Sequence, residues 1–113
     1  MKQSSLPSLP ASVRVGPFDY RIVDWSPADA NANNAMGECY HSALRISLRA
    51  DLLPAKKAQT LIHEILHAIW LVGSVDQAGD NEERLVTNLA HHLAQVIRDN
   101  PDLMLWLSAA ARG

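Results

Sequence analysis

Residues 60–70 read "TLIHEILHAIW". His63 and His67 stand four apart, and Glu64 follows the first of them inside a run that is otherwise apolar. At 3.6 residues per turn, two side chains four apart lie about 40° from one another on a helix surface. The apolar positions Ile62, Ile65, Leu66 and Ile69 follow the i, i+3, i+4, i+7 spacing of a packed stripe, so a helix is predicted over Pro54 to Val72. The centre of that stripe falls roughly 130° from the histidine pair. The histidines therefore form a face of their own, in register to grip one ion. Glu64 points in a neighbouring direction, placed to take a proton from a metal-activated water and to pass it to a leaving amine. That division of labour is the mechanical content of the H-E-x-x-H pattern. Without a metal, two imidazoles and a carboxylate in an apolar helix would each need another partner.

The rest of the chain supplies a frame for this helix. Its 113 residues, 48% hydrophobic and 19% charged, suit one domain with a modest core. Residues 1–10 are rich in Ser and Pro and are expected to be a flexible N-terminus, leaving 11–113 as a single domain. "SVRV" and "FDYRIVDW" flank Gly16 and Pro17 and alternate in polarity, which predicts two short strands with Val13, Val15, Phe18, Tyr20 and Ile22 inward. "SPADANANNAMG" reads as a polar loop without core residues. "ECYHSALRISL" returns to strand character, with Leu44, Ile46 and Leu48 on one face. Gly73 is a natural helix stop. A second helix is predicted from about Asn81 to Asp99, with Leu85, Val86, Leu89, Leu93 and Val96 as its stripe. Asn100 and Pro101 are suited to cap and open a third, short apolar helix.

Charge and composition narrow the partners. The net charge of −2 is spread along the chain, which gives no electrostatic footprint for nucleic acid. No apolar run is long enough for a membrane span or a secretory leader. Cys39 is the one cysteine, which excludes an internal disulfide and fits a reducing, cytoplasmic setting. It is expected to be a small buried residue rather than a ligand. Trp25, Trp70 and Trp106 are expected in the core and along a cleft wall.

A catalytic zinc takes three protein ligands and keeps a fourth position open. The third must come from outside "HEILH", and the second helix carries Glu82 and Glu83 in its first turn. Acidic residues also favour that position because of the helix dipole.

"TLIHEILHAIW" followed by "EERLVTNLA" resembles the gluzincin class of zinc metallopeptidases, in particular the small ImmA/IrrE-like and phage- or prophage-encoded members. The likeness spans roughly residues 37–100. It implies an α+β, minimal zincin-like fold, with a small antiparallel sheet packed on an active-site helix, a ligand helix and a C-terminal helix. It implies one Zn2+ ion held by His63, His67 and Glu83, with Glu82 as the fallback ligand and Glu64 as catalytic base. Thr87, four residues after Glu83, would support a histidine. The implied partner is a protein or peptide substrate in the cytoplasm, bound along an edge strand at "ALRISL". The implied alternative on the same fold is a zinc-binding regulatory or interaction module without proteolytic activity. Tyr40, His41, His91 and His92 are the available donors for a developing oxyanion.

Overall fold

The computed structural model describes residues 6–32, 35–74 and 81–113. Their order is β1 (Ser12–Val15), β2 (Phe18–Trp25), α1 (Pro27–Ala32), β3 (Gly37–Tyr40), a 3-10 turn (His41–Ala43), β4 (Arg45–Arg49), α2 (Pro54–Val72), α3 (Glu82–Asp99) and α4 (Pro101–Ala110). The fold is α+β, one four-stranded sheet in the order β1-β2-β4-β3 with helices packed on it. The first five residues of the expected flexible N-terminus lie outside the described residues, as do 33–34 and 75–80.

The expected antiparallel sheet is mixed. β1 and β2 form the predicted hairpin, whose turn uses Gly16 at φ +59. β2 and β4, however, run parallel, with Ile22 opposite Ile46. The cause lies between them. "SPADANANNAMG" contains α1, and its Ala30 is fully buried. That segment carries the chain back so that a later strand can align with β2. "ECYHSALRISL" then splits into two strands about the 3-10 turn, where Leu44 takes a left-handed conformation. β3 pairs antiparallel with β4 and becomes the outermost strand. "ALRISL", the expected edge, is consequently interior, and Ile46, Ser47 and Leu48 are all buried.

One sheet face carries Val13, Val15, Tyr20, Ile46 and Leu48, all with no exposed surface, and packs under α2. Phe18 shares their parity but lies beyond the covered area, 38% exposed. The opposite edge of the sheet is closed by side chains. Gln95 accepts from the Gly16 N–H at 2.7 Å, and Asn100 accepts from the Arg14 N–H at 2.7 Å and donates to the Arg14 carbonyl at 2.9 Å. These amides serve β1 as a neighbouring strand would. Asn100 thus does not cap α4 with its side chain, as expected from sequence. Asn81 does cap α3, accepting from the Arg84 N–H at 3.1 Å.

Helix α2 has the predicted bounds but a different inward face. Ala58, Leu61, Ile65, Ala68 and Ile69 are buried, whereas Ile62 and Leu66 are 44% and 41% exposed. The packed face is turned roughly 60° from the predicted stripe, because α2 is apolar over most of its circumference and the sheet chooses among the options. On α3 only Val96 of the expected stripe is buried, and Val86 and Leu93 are exposed.

The corrected face is checked by paired truncations. Leu61→Ala should lower stability by about 2–5 kcal/mol, and Ile62→Ala by less than about 1 kcal/mol. Equal losses in urea denaturation would restore the predicted stripe.

Candidate metal centre

Turning α2 onto Leu61, Ile65 and Ala68 places His63 and His67 about 170° from the centre of the packed face. Both are exposed. Glu64 lies at the margin, about 80° round the helix from the histidines, and is 6% exposed. The three side chains converge all the same, each offering one ligand atom, with those atoms within 4.8 Å of one another.

The two imidazoles approach through Nε2 at 3.2 Å, with their rings at 72°. Two nitrogens about 2.0–2.1 Å from a tetrahedral zinc would stand roughly 3.3 Å apart. The observed spacing therefore fits a single small ion bound by both rings. Nitrogen and carboxylate donors of this kind serve several first-row divalent metals, zinc among them.

Glu64 is fixed from the sheet side. β3 presses on α2 at Gly37, where an added Cβ would stand 2.8 Å from Thr60 Cγ2, 3.1 Å from the Ser47 carbonyl and 3.2 Å from Glu64 Oε2. A side chain at this position would force Thr60 or the strand itself to shift. The close approach lets the Glu64 carboxylate accept a hydrogen bond from the Cys39 backbone N–H. An otherwise unused donor of the edge strand thereby holds the carboxylate. Burial raises the pKa of Glu64 above its ordinary 4.5, opposed by the two nearby histidines, raised further by Glu38 and lowered by the bond from Cys39. Burial also pushes the Cys39 thiol up to about 11, with the negative charges of Glu64 and Glu38 adding to the effect. Such a thiol is a weak ligand and a poor nucleophile, in keeping with a half-buried packing role.

Two hollows flank the histidines. One, about 260 Å³, lies between Met36 and Gly37 on the strand side and Lys56, Gln59, His63 and Glu64 on the helix. The other, about 440 Å³, is lined by His63, Leu66, His67 and Trp70. His63 borders both, so the imidazoles sit in an open groove with an apolar wall. Trp70 belongs to that wall, Trp106 to the core, and Trp25 is half-buried on the sheet.

The remaining sequence candidates lie elsewhere. Glu83 and Thr87 line a separate hollow of about 630 Å³ with Gly73, Ser74 and His91. Neither Glu82 nor Glu83 belongs to the metal-capable group. Tyr40 is on the outward sheet face, its ring under the Arg45 guanidinium at 5.0 Å. His41 Nδ1 is hydrogen-bonded to the Tyr20 hydroxyl. His92 is packed against Gly73. Sequence reasoning missed Gly37 and the Cys39 N–H as parts of the site. A glycine ahead of a short β-like run was the available signal, but only the strand order reveals which helix it meets.

Compared with known proteins, the chain matches no family model, no curated protein and no solved structure.

The raised pKa of Glu64 has a definite sign. The folded state holds that proton more tightly than the unfolded chain, so this contribution to stability is complete below the ordinary carboxylate range. It is lost as pH rises through the folded pKa. In the presence of chelator, Glu64→Gln should therefore melt above the wild type at pH 8, with the gap closing below pH 4.5. A gap that widens towards acid would refute the assignment.

Proposed function

We propose that the protein is a zinc-dependent metallopeptidase. The observation that carries this reading is the 3.2 Å approach of His63 and His67 Nε2 beside the Glu64 carboxylate. The likeness of "TLIHEILH" and "EERLVTNLA" to gluzincins adds support, and with it comes a minimal zincin reading of the α+β fold. His63 and His67 would hold the ion through Nε2, and Glu83 is the implied third protein ligand. Zinc held there supplies a Lewis acid that makes a water nucleophilic near neutral pH.

The chain's own residues do the rest. Glu64, anchored by the Cys39 N–H, takes a proton from the attacking water at its carboxylate. It then delivers that proton to the leaving amine. A carboxylate whose pKa is raised by burial is a stronger base towards that water than an exposed one. The edge strand β3 runs beside the groove and offers backbone groups to an extended peptide. That role moves from "ALRISL" to "GECY". Leu66 and Trp70 give the groove an apolar wall for a side chain of the peptide.

One observation favours a second reading. Tyr40, His41, His91 and His92 make their contacts elsewhere, so none of the four expected oxyanion donors stands in the metal-capable group. The same centre would then serve as a zinc-binding interaction module.

The test is zinc content by elemental mass spectrometry, followed by a peptide-library cleavage screen. Wild type should carry about one zinc per chain, and His63→Ala should lose more than about 90% of it. Glu64→Gln should keep the zinc and lower cleavage at least about 100-fold. Zinc binding with no cleavage by wild type would select the interaction module. No zinc after reconstitution would end both readings.

A further inference from the structure

Among the described residues, no further ligand-type side chain joins His63, Glu64 and His67, and the surface around them is unusually apolar. On α2, Leu66, Trp70, His63 and His67 occupy a sector of about 100°, all on the exposed side. Leu66 and Trp70 are each 41% exposed. On α3, Val86, Leu93 and Ile97 fall within about 40° and are 52%, 42% and 50% exposed. Glu82 flanks this stripe by about 40° on one side and Glu83 by about 60° on the other. Each helix thus displays apolar residues and ligand-type groups together. The two displays are chemically complementary, because one carries imidazoles for a cation and the other carries carboxylates. Among the described residues Glu83 does not join the histidines but faces the hollow beside Gly73, and both stripes stay about half exposed.

We propose that the occupant of both stripes is a second copy of this chain. In a two-fold dimer, the α3 stripe of one copy covers Leu66 and Trp70 of the other, and Glu83 of the second copy completes the His63–His67 metal site. Two-fold symmetry makes the contact twice, so every stripe is covered and both sites are filled. The five apolar residues of the two stripes, each about half exposed, present roughly 400 Å² per copy, about half of the about 800 Å² per partner that stable interfaces bury. Val86 is three residues from Glu83, and Leu66 adjoins His67. With the two helices antiparallel, Glu83 and the histidines fall on the same side of the contact, so covering the apolar residues brings the carboxylate to the imidazoles. This inference rests on the metal-site reading and adds the source of the third ligand.

Subunit mixing tests it through zinc content and mass, independently of activity. One chain carries His63→Ala; the other carries Glu82→Ala with Glu83→Ala, so that neither glutamate can stand in for its neighbour. All three positions are exposed, and circular dichroism confirms folding. Each variant alone should bind little zinc. Coexpressed with two different affinity tags and purified through both, the mixed dimer should hold about one zinc per two chains, because only one of its two sites has a complete ligand set. Val86→Arg with Leu93→Arg should give a monomer by light scattering and lose zinc as well. A zinc-loaded wild-type monomer, or a mixed dimer without zinc, overturns the proposal and returns the third ligand to the same chain. A wild type that takes up no zinc in any state overturns the metal-site reading itself.

Discussion

Everything at the candidate centre depends on how closely β3 can approach α2. Gly37 presents no side chain where Thr60, the Ser47 carbonyl and Glu64 crowd together. That bare stretch of strand lets a carboxylate be buried without being orphaned, because the Cys39 N–H is available to it. A buried carboxylate lacking such a donor would be strongly unfavourable and would be driven to protonate or to swing out. The same contact sets the rotation of α2. With Glu64 tucked under the strand, Leu61, Ile65 and Ala68 must face the sheet, and the histidines must face away from it.

This rotation separates two environments on one helix. Glu64 lives in a desolvated margin, where its pKa rises, while His63 and His67 remain accessible in a groove. An acid–base group and a pair of metal ligands require such different surroundings, since the former works near its pKa and the latter must stay deprotonated to bind. The helix period produces the separation from adjacent positions in sequence. A strand would have sent residues 63 and 64 to opposite faces and parted the carboxylate from the imidazoles.

The elements that leave apolar surface uncovered are equally consequential. α3 anchors its C-terminal half to the sheet edge through Gln95 and Asn100 and buries Val96. Its first turns carry the glutamates beside exposed Val86. Leu85 and Leu89 pack against the core along the same half, so α3 is held by one face along its length and presents another.

Local patterns set much of this protein. The bounds of α2 and of α3, the β1–β2 hairpin and the position of Pro101 at the start of α4 follow from periodicity, breakers and caps, which act within a few residues. The closeness of His63, Glu64 and His67 was legible for the same reason, since a helix fixes it without outside help. What the pattern left open was every choice among equivalents. α2 is apolar on most sides, so its inward face, and with it the exposure of Ile62 and Leu66, was decided by the strand it met. The parallel pairing of β2 with β4 depended on α1 returning the chain, and the edge role passed to Gly37–Tyr40 only when β4 entered the sheet. Whether Glu83 reaches the histidines depends on how α3 is carried relative to α2, a long-range matter that helix propensity does not encode. Short-range geometry specified the metal-capable group, and packing between distant segments specified what surrounds it.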